Sequence, residues 1–306
     1  MLKQSTNNIM LVWPASFGFN AETAQNNAFQ DKSAEQTDTL TKARKEFDQF
    51  NVLLRRNGVK TIVIKDEESP AMPDAVFPNN WVSFHPNGHV VLYPIFAKNR
   101  RKEKRQQILD QINETFAITK ITDLSHHETK AHFLEGTGSM IFDHINRKAY
   151  ACISPRTDQV LFEKTCNQLD YEPISFQSED ESGQAIYHTN VMMALGTGYV
   201  VICLESLPNQ DDREKLLTHF LNSGLETIEI SHEQMNEFAG NMLEVLGTND
   251  EELIICSQRA YDCLSPTQIA RLSQYGRLVA AAVPTIESVG GGSVRCMMAE
   301  IFLPIK

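Results

Sequence analysis

Residues 190–204, NVMMALGTGYVVICL, and residues 241–256, NMLEVLGTNDEELIIC, follow the same plan. Each begins with an asparagine, continues as a short apolar segment, turns at Gly-Thr and returns as a second apolar segment. Two apolar segments joined by a glycine-containing turn are typical of a β-hairpin. Because the plan returns after 51 residues, the sequence predicts a repeated structural unit.

The same plan extends over most of the chain. In each unit a small polar residue precedes a hairpin, a helical segment follows, and a third apolar segment completes the unit. We call the small polar residues the openers; successive openers are 59, 51, 51 and 52 residues apart. They are Asn80, Ser139, Asn190, Asn241 and Ser293. The pattern predicts five ββαβ repeats.

The fifth unit has a single strand, after Ser293, whereas the N-terminal part offers two strands around a helix, at residues 9–12, 39–57 and 59–64. We therefore expect the two ends of the chain to pair and to close a ring. The predicted fold class is α/β: a five-fold pseudo-symmetric α/β propeller of ββαβ repeats around a central channel. Residues 1–306 would form it as a single domain. An ordinary α/β protein also alternates strands and helices, but the shared openers and turns favour the ring.

The bulk composition narrows the function. With 42% apolar and 22% charged residues, the chain can bury a sizeable core. The net charge of −11 argues against nucleic acid or an anionic membrane as a partner. The N-terminal residues do not resemble a secretory signal, and six cysteines without a C-x-x-C spacing do not suggest a disulfide scaffold or a zinc site. We therefore expect a cytoplasmic protein.

Loops that precede equivalent openers should gather at one mouth of the ring. They would bring together the Cys296 thiol, the His188 imidazole and the Glu135 carboxylate. A thiol and an imidazole form a nucleophile–base pair, and a carboxylate can assist it. Each residue alone has a simpler explanation, such as a buried apolar cysteine for Cys296. Their matched places in the repeat favour the catalytic interpretation. The loops are residues 74–80, 135–139, 188–190 and 290–296.

This set resembles the pentein superfamily of guanidine-modifying enzymes: arginine deiminases, dimethylarginine dimethylaminohydrolases and amidinotransferases. The resemblance covers nearly the whole chain. It implies a five-bladed α/β propeller in which Cys296 forms a covalent adduct, assisted by His188 and Glu135, without a metal or cofactor. Its most specific segments are residues 77–81 (FPNNW), 134–136 (LEG), 187–190 (YHTN) and 290–296 (GGGSVRC).

The resemblance also implies a site for a small amino-acid substrate. Arg100 and Arg156 match two arginines that hold the α-carboxylate in the dimethylargininase branch, and Asp74 matches an acid near the substrate's amino end. A guanidinium can bind a carboxylate through two parallel hydrogen bonds. The basic run at residues 98–105 could instead be a solvated helix face, and Arg101 is an alternative to Arg100.

Two departures from the family pattern suggest the substrate. Arginine-acting members have carboxylates where this chain has Asn80, and many have another where it has Asn190. A buried guanidinium cation is best matched by carboxylates, whereas an amide suits a neutral ureido group because it both donates and accepts hydrogen bonds. The pattern is closest to the citrulline utilization hydrolases and is similar to succinylarginine dihydrolase. It predicts hydrolysis of citrulline to ornithine, ammonia and carbon dioxide, with main-chain N–H groups near Cys296 holding the oxyanion.

Three alternatives stay open. The first is an arginine deiminase or an amidinotransferase that acts on a guanidinium substrate. The second, of another class, is a non-catalytic pentein binding protein. The third concerns His126, His127 and His132, which could bind a metal, although the expected chemistry requires none. A homodimer is also compatible with the sequence.

Overall fold

The computed structural model describes residues 3–306. Met1 and Leu2, with which the predicted domain begins, lie outside the described residues. The fifteen strands of the described part form five sheets of three strands each. They are β1 (Asn8–Trp13), β2 (Lys60–Lys65), β3 (Val82–Phe84), β4 (His89–Leu92), β5 (Lys120–Asp123), β6 (Ile141–Asp143), β7 (Lys148–Cys152), β8 (Glu172–Phe176), β9 (Met193–Gly196), β10 (Tyr199–Ile202), β11 (Glu226–Glu229), β12 (Leu243–Leu246), β13 (Glu252–Ser257), β14 (Arg277–Ala281) and β15 (Ala299–Glu300).

Helices connect and cover the sheets. The longest, α1, has eighteen residues and buries Phe47, Phe50 and Leu54 on one face. The helices are α1 (Thr39–Arg56), α2 (Gln106–Thr115), α3 (Gly136–Ser139), α4 (Gln159–Gln168), α5 (Thr189–Met192), α6 (Gln210–Asn222), α7 (His232–Asn236), α8 (Gln258–Cys263), α9 (Pro266–Leu272) and α10 (Pro284–Gly290).

The predicted ββαβ unit is confirmed in four sheets. In each, the first two strands form an antiparallel hairpin, and the third lies parallel to the second after a helical connection. In the third unit, for example, Val200 of β10 pairs with Leu195 of β9 on one side and Thr227 of β11 on the other. Parallel strands are usually connected through a helix, because a tight turn reverses the direction of the chain and can join only antiparallel strands.

The two ends of the chain complete the fifth sheet. Strand β15 pairs antiparallel with β1, with Ile9 opposite Glu300, and β1 pairs parallel with β2, with Met10 opposite Ile62. The pairing expected between the ends is thus observed, and the predicted five-fold propeller fold is confirmed. Inner strands β3, β6, β9, β12 and β15 all contribute side chains to one cavity on the central axis.

The hairpins depend on residues that accept a left-handed backbone. Gly198 turns β9 into β10 with a φ of 83°, and Asn249 with Asp250 turns β12 into β13 with φ values of 57° and 59°. Glycine has no Cβ to clash in this region, and asparagine and aspartate are the side chains that tolerate it best. The turns that mark the repeat in the sequence therefore have a steric cause.

Two predictions of local structure were wrong. The sequence pattern from about Arg100 to Thr115 predicts a single charged helix, but a 3-10 helix at Asn99–Glu103 is separated from α2 by Lys104, whose ψ is 85°, and Arg105. The two segments bury different faces: the 3-10 helix turns Arg100 and Glu103 inward, while α2 buries an apolar stripe. The apolar segment after Ser293 predicts that the terminal strand carries Cys296, but that strand begins only at Ala299.

Cys296 lies in a tight helical turn instead. The N–H of Cys296 donates to Ser293 O at 2.9 Å, and the N–H of Met298 donates to Arg295 O at 3.2 Å. These bonds span three residues and curl the chain before β15. Within residues 3–306 no helix combines the length and the apolar character that a membrane crossing requires.

Candidate active site

Each opener belongs to a single helical turn just before its inner strand. The main-chain N–H groups of Asn80, Ser139 and Asn241 each donate to a carbonyl oxygen three or four residues earlier in the chain. In the turn around Asn190, the accepting carbonyl oxygen lies two residues before the opener. All five openers are at least 97% buried. Because the five turns precede equivalent strands, they converge at one end of the channel, as the sequence predicted.

Hydrogen bonds join neighbouring turns around the axis. Thr189 Oγ1 donates to Ser139 O at 2.6 Å, and Asn241 Nδ2 donates to Asn190 O at 2.7 Å. The N–H of Arg295 then donates to Asn241 Oδ1 at 3.1 Å. These contacts link residues from four of the five repeats around the ring, so the positions of their side chains are coupled.

His188 and Glu135 are in direct contact within this ring. His188 Nε2 lies 2.8 Å from Glu135 Oε2, and both side chains are almost fully buried. The other carboxylate oxygen, Oε1, accepts the main-chain N–H of Phe96 at 2.8 Å, and Arg156 Nη1 lies 3.5 Å from Oε2. Glu135 is thus held on both oxygens.

The charges around the pair set its protonation. Burial alone would raise the pKa of the Glu135 carboxyl, but Arg156, His188 and Arg100 together outweigh burial and hold that pKa at about 2. Burial lowers the pKa of the His188 imidazole to about 4, although Glu135 acts in the opposite direction. Near neutral pH the carboxylate is therefore ionised and the imidazole is neutral.

This protonation fixes the tautomer of His188. An ionised carboxylate can only accept, so Nε2 must carry the hydrogen and Nδ1 must carry the lone pair. A Cβ placed on Gly138 would lie 2.9 Å from His188 Nδ1 and 2.5 Å from Asn80 Nδ2. The basic nitrogen of His188 and the amide of Asn80 therefore converge on the bare face of this glycine.

Replacing Gly138 by alanine should block that convergence point. Gly138 has no positive φ, so the added methyl group acts by contact with Asn80 and His188 rather than by backbone strain. We expect kcat/KM to fall by about 100-fold, because displacing catalytic groups by even one ångström costs that much. Steady-state kinetics together with a thermal melt measure the effect.

Gly224→Ala is the matched control. Gly224 has a φ of 69° but no atom within 4 Å of an added Cβ. Alanine there should therefore lower the melting temperature and leave kcat/KM unchanged. If Gly138→Ala kept wild-type kinetics, the convergence of His188 and Asn80 on this glycine would have no role in the reaction.

Cys296 lies within the ring and contacts two amides. Asn190 Nδ2 is 3.4 Å and Asn241 Nδ2 is 3.3 Å from its Sγ, and the side chain is 4% exposed. The N–H that Asn241 Oδ1 accepts from Arg295 orients this amide with its donor toward the sulfur. Two side-chain N–H donors therefore face the sulfur. No hydrogen bond in the described part joins Cys296 to His188 itself.

Arg100 is surrounded by acceptors. Its Nε and Nη2 donate to the two oxygens of Glu103 at 2.8 and 2.9 Å, and its Nη1 donates to Asn80 Oδ1 at 2.8 Å. Nη2 also donates to Phe77 O at 3.1 Å. Although burial alone would lower it, Glu103 and Asp74 hold the pKa of the Arg100 guanidinium above its ordinary value. The alternative of a solvated helix face does not apply to Arg100, which is 2% exposed.

Arg156 contacts the N-terminal segment. Its Nε donates to Asn26 Oδ1 at 2.8 Å and its Nη2 donates to Thr23 O at 2.8 Å. The guanidinium also stacks over Tyr187, 4.8 Å from the ring centroid. Asp74 is buried nearby: Oδ2 accepts from Thr23 Oγ1 at 3.0 Å and from Asn20 Nδ2 at 2.8 Å, whereas Oδ1 has no protein partner.

Sequence reasoning missed several residues of this site. Asn241 was identified as an opener but was not assigned to the site, although its position in the repeat is equivalent to that of Asn190. Glu103 follows Arg100 by three residues, a spacing that permits a pair on one helical turn. Nothing local indicated that Asn26 or Thr23 would reach the site. No group of three or more His, Cys, Asp and Glu side chains among residues 3–306 is arranged to hold a metal ion.

Comparisons with known proteins agree with this fold. The ligand-free crystal structure of ArgZ, an arginine dihydrolase from the ornithine–ammonia cycle in cyanobacteria, has a TM-score of 0.77 at 17% identity. The match covers 98% of this chain and 41% of that one, so this chain spans about two fifths of ArgZ. The substrate-bound N-terminal domain of ArgZ has a TM-score of 0.73 at 18% identity, with coverages of 98% and 99%.

A third structure is a dimethylarginine dimethylaminohydrolase variant in an adduct with S-methyl-L-thiocitrulline. Its TM-score is 0.65 at 14% identity, with coverages of 98% of this chain and 100% of that one. At these identities the likenesses show the fold. No curated protein matches the chain in sequence.

The family assignment rests on a separate match. The model of the family described as N,N dimethylarginine dimethylhydrolase, eukaryotic, matches residues 13–303. The predicted enzyme class, a hydrolase acting on carbon–nitrogen bonds other than peptide bonds, is thereby confirmed, and the non-catalytic alternative is set aside. The chain belongs to the eukaryotic N,N-dimethylarginine dimethylhydrolase family, and with it to the pentein superfamily.

Proposed function

We propose that this chain is a cysteine-dependent hydrolase of a small amino acid with a ureido or guanidino side chain, and that citrulline is its preferred substrate. The products would be ornithine, ammonia and carbon dioxide. The observation that carries the proposal is the pair of amides, Asn190 and Asn241, against the Cys296 sulfur. A cationic substrate would be matched better by carboxylates at these places.

The hydrogen-bonding capacity of the amides also favours a ureido group. Asn190 Oδ1 is buried and has no protein partner, so it can accept an N–H of the substrate. Asn80 Nδ2 donates to Asn79 Oδ1 at 3.0 Å and retains a second hydrogen, which can be donated to a carbonyl oxygen. A ureido group has both N–H donors and a C=O acceptor, whereas a guanidinium has donors alone.

The first half of the reaction would form an adduct on Cys296. Nδ1 of His188 takes the thiol proton, and the sulfur attacks the ureido carbon to form a tetrahedral intermediate. The imidazolium, stabilised by Glu135, then gives its proton to the departing amine. Collapse of the intermediate breaks one C–N bond and leaves a thiocarbamate on the sulfur.

In the second half, water would replace the sulfur. His188 takes a proton from the water as it attacks the thiocarbamate carbon, the C–S bond breaks, and the thiol is restored. The released carbamic acid loses carbon dioxide to give the second amine. The atoms of citrulline and one water then balance those of ornithine, ammonia and carbon dioxide.

Side-chain amides, rather than main-chain groups, are the better candidates for holding the oxyanion. The N–H groups of Arg295 and Cys296, which the sequence suggested for this role, are already donated to Asn241 Oδ1 and Ser293 O. Asn80 Nδ2 retains a hydrogen and lies beside His188. A preorganised donor at the developing charge is usually among the largest contributions to catalysis.

The other end of the substrate would meet Asp74 and the arginines. The unpartnered Oδ1 of Asp74 can accept from an α-ammonium group. Arg156 is proposed to hold the α-carboxylate, and the remaining Nη1 hydrogen of Arg100 could assist it. The Nε and Nη2 donors of Arg156 bind Asn26 Oδ1. A substrate carboxylate that binds these two donors would therefore displace the Asn26 side chain.

A guanidine substrate is the second candidate. It is supported by the family match, whose description specifies N,N-dimethylarginine, and by the likeness to ArgZ, described as an arginine dihydrolase. Glu135 would then be the remaining carboxylate for the guanidinium group.

Purified protein incubated separately with citrulline, arginine and N,N-dimethylarginine separates the candidates. We expect ornithine and ammonia from citrulline, with a kcat/KM at least about tenfold above that for the two guanidines. Amino-acid analysis identifies the products, and Cys296→Ala is the control for contaminating enzymes. Formation of citrulline from either guanidine, without ornithine from citrulline, would overturn the citrulline proposal.

The organisation of residues 1–306 as a single catalytic domain, the cytoplasmic location and the homodimer stay predictions. Sedimentation of the purified chain at several concentrations tests the homodimer.

A further inference from the structure

Arg100 and Glu103 form a buried pair beside the reacting centre. Two parallel hydrogen bonds of 2.8 and 2.9 Å join the guanidinium to the carboxylate, and both side chains are 2% exposed. This geometry fixes the plane of the guanidinium, because both ends of the fork are held. A third contact, from Nη2 to Phe77 O at 3.1 Å, holds it from another side.

The fixed guanidinium determines how the Asn80 amide is oriented. Nη1 of Arg100 lies 2.8 Å from Oδ1 of Asn80. A guanidinium has no acceptor, so the amide must present its oxygen to Arg100 and its nitrogen to the opposite side. That nitrogen lies where a Cβ on Gly138 would come within 2.5 Å of it, beside Nδ1 of His188.

We infer that Arg100, held by Glu103, is a positioning residue that determines substrate specificity through Asn80. It keeps the donor Nδ2 of Asn80, rather than the acceptor Oδ1, turned toward the reacting group. A donor there favours a carbonyl oxygen and disfavours a guanidinium, which presents only N–H groups. In its reference to a ureido substrate the inference rests on the proposed function.

This role differs from that of a carboxylate clamp in a measurable way. If Arg100 only held the α-carboxylate, its loss would lower kcat/KM for citrulline and for arginine by the same factor, since both substrates have the same α-carboxylate. If Arg100 orients Asn80, its loss would lower kcat/KM for citrulline and leave kcat/KM for arginine unchanged or higher, because a released amide can turn its oxygen toward the guanidinium. The ratio of the two kcat/KM values therefore distinguishes the roles.

A double-mutant cycle of Arg100→Lys and Asn80→Ala tests the inference. Lysine keeps the positive charge beside Glu103 and Asp74, but it lacks the planar fork that reaches Glu103 and Asn80 together. We expect Arg100→Lys to lower the citrulline-to-arginine ratio of kcat/KM by about 10- to 100-fold. In the Asn80→Ala background the same change should leave the ratio within about twofold.

Glu103→Gln is the second variant. It retains the size of the side chain but weakens its hold on the guanidinium, so the ratio should fall in the same direction as with Arg100→Lys and by less. Arg105 belongs to the same basic run but binds Asp66 rather than Asn80. Arg105→Met, which removes that charge, should therefore leave the ratio unchanged. Thermal melts of all variants show which of them are folded.

Two results would overturn the inference. One is an unchanged ratio in Arg100→Lys with both kcat/KM values reduced equally, which is the result for a carboxylate clamp. The other is an equal change of the ratio in the presence and absence of Asn80. If the wild type turns over arginine alone, the proposed function fails, but the cycle is still decisive: Arg100→Lys should then change kcat/KM for arginine only where Asn80 is present.

Discussion

Cys296→Ala is expected to abolish turnover while leaving the fold intact. The sulfur is the only proposed nucleophile, and its loss removes the covalent route, so kcat should fall by roughly 10⁴-fold or more. The fold should survive because the turn around Cys296 is held by main-chain hydrogen bonds and by the bond from the Arg295 N–H to Asn241 Oδ1, none of which involves the sulfur. Ornithine release and a thermal melt measure the two effects.

Cys263→Ala is the matched control for that experiment. Cys263 lies on α8, outside the ring of openers, and burial raises the pKa of its thiol to about 11. A thiol with such a pKa is a poor nucleophile near neutral pH. This variant should keep wild-type kinetics. Turnover by Cys296→Ala at more than a small fraction of the wild-type rate would exclude the covalent mechanism.

Glu135→Gln is expected to have the second-largest effect. Glutamine can still contact His188, but it presents either an amide N–H or a neutral oxygen and no longer stabilises an imidazolium. The imidazolium that forms when His188 takes a proton from the thiol or the water is then less stable. We expect kcat to fall by about 10²- to 10⁴-fold.

The pH profile separates this effect from general damage. In the wild type, activity should be lost as the pH falls toward 4, because protonated His188 cannot act as a base. Glu135 raises the pKa of His188 against the effect of burial, so its removal should move the acidic limb of kcat/KM to lower pH. An acidic limb that moved to higher pH, or a kcat within about twofold of wild type, would contradict the assigned role of Glu135.

Much of the site could be located from the sequence because the fold repeats. The positions of Asn190, Asn241 and Ser293 follow from one local plan, and equivalent places in a closed ring must lie at the same mouth. His188 and Glu135 are close to openers, and the structure puts them 2.8 Å apart although 53 residues separate them in the chain. Periodicity thus replaced the long-range information that a sequence usually lacks.

Other features could not be predicted because they depend on single atoms. The sequence suggested Arg100 as a ligand for a carboxylate, but the same guanidinium binds Glu103 and Asn80 in the folded chain. The basic run gave no indication that one arginine would be buried while its neighbours stay nearer the surface. The main-chain N–H groups proposed for the oxyanion are occupied within the fold, which no sequence pattern indicates.

The sequence by itself determined the five-fold repeat, the hairpin turns and the residue types that occupy the openers. These depend on the spacing of apolar segments and on the steric freedom of glycine, asparagine and aspartate, which are properties of short stretches. Only the tertiary structure decided the tautomer of His188, the orientation of the Asn80 and Asn241 amides and the donors left free at Arg100. Each of these depends on which partner comes within hydrogen-bonding distance, and the partners belong to segments that meet only when the ring closes.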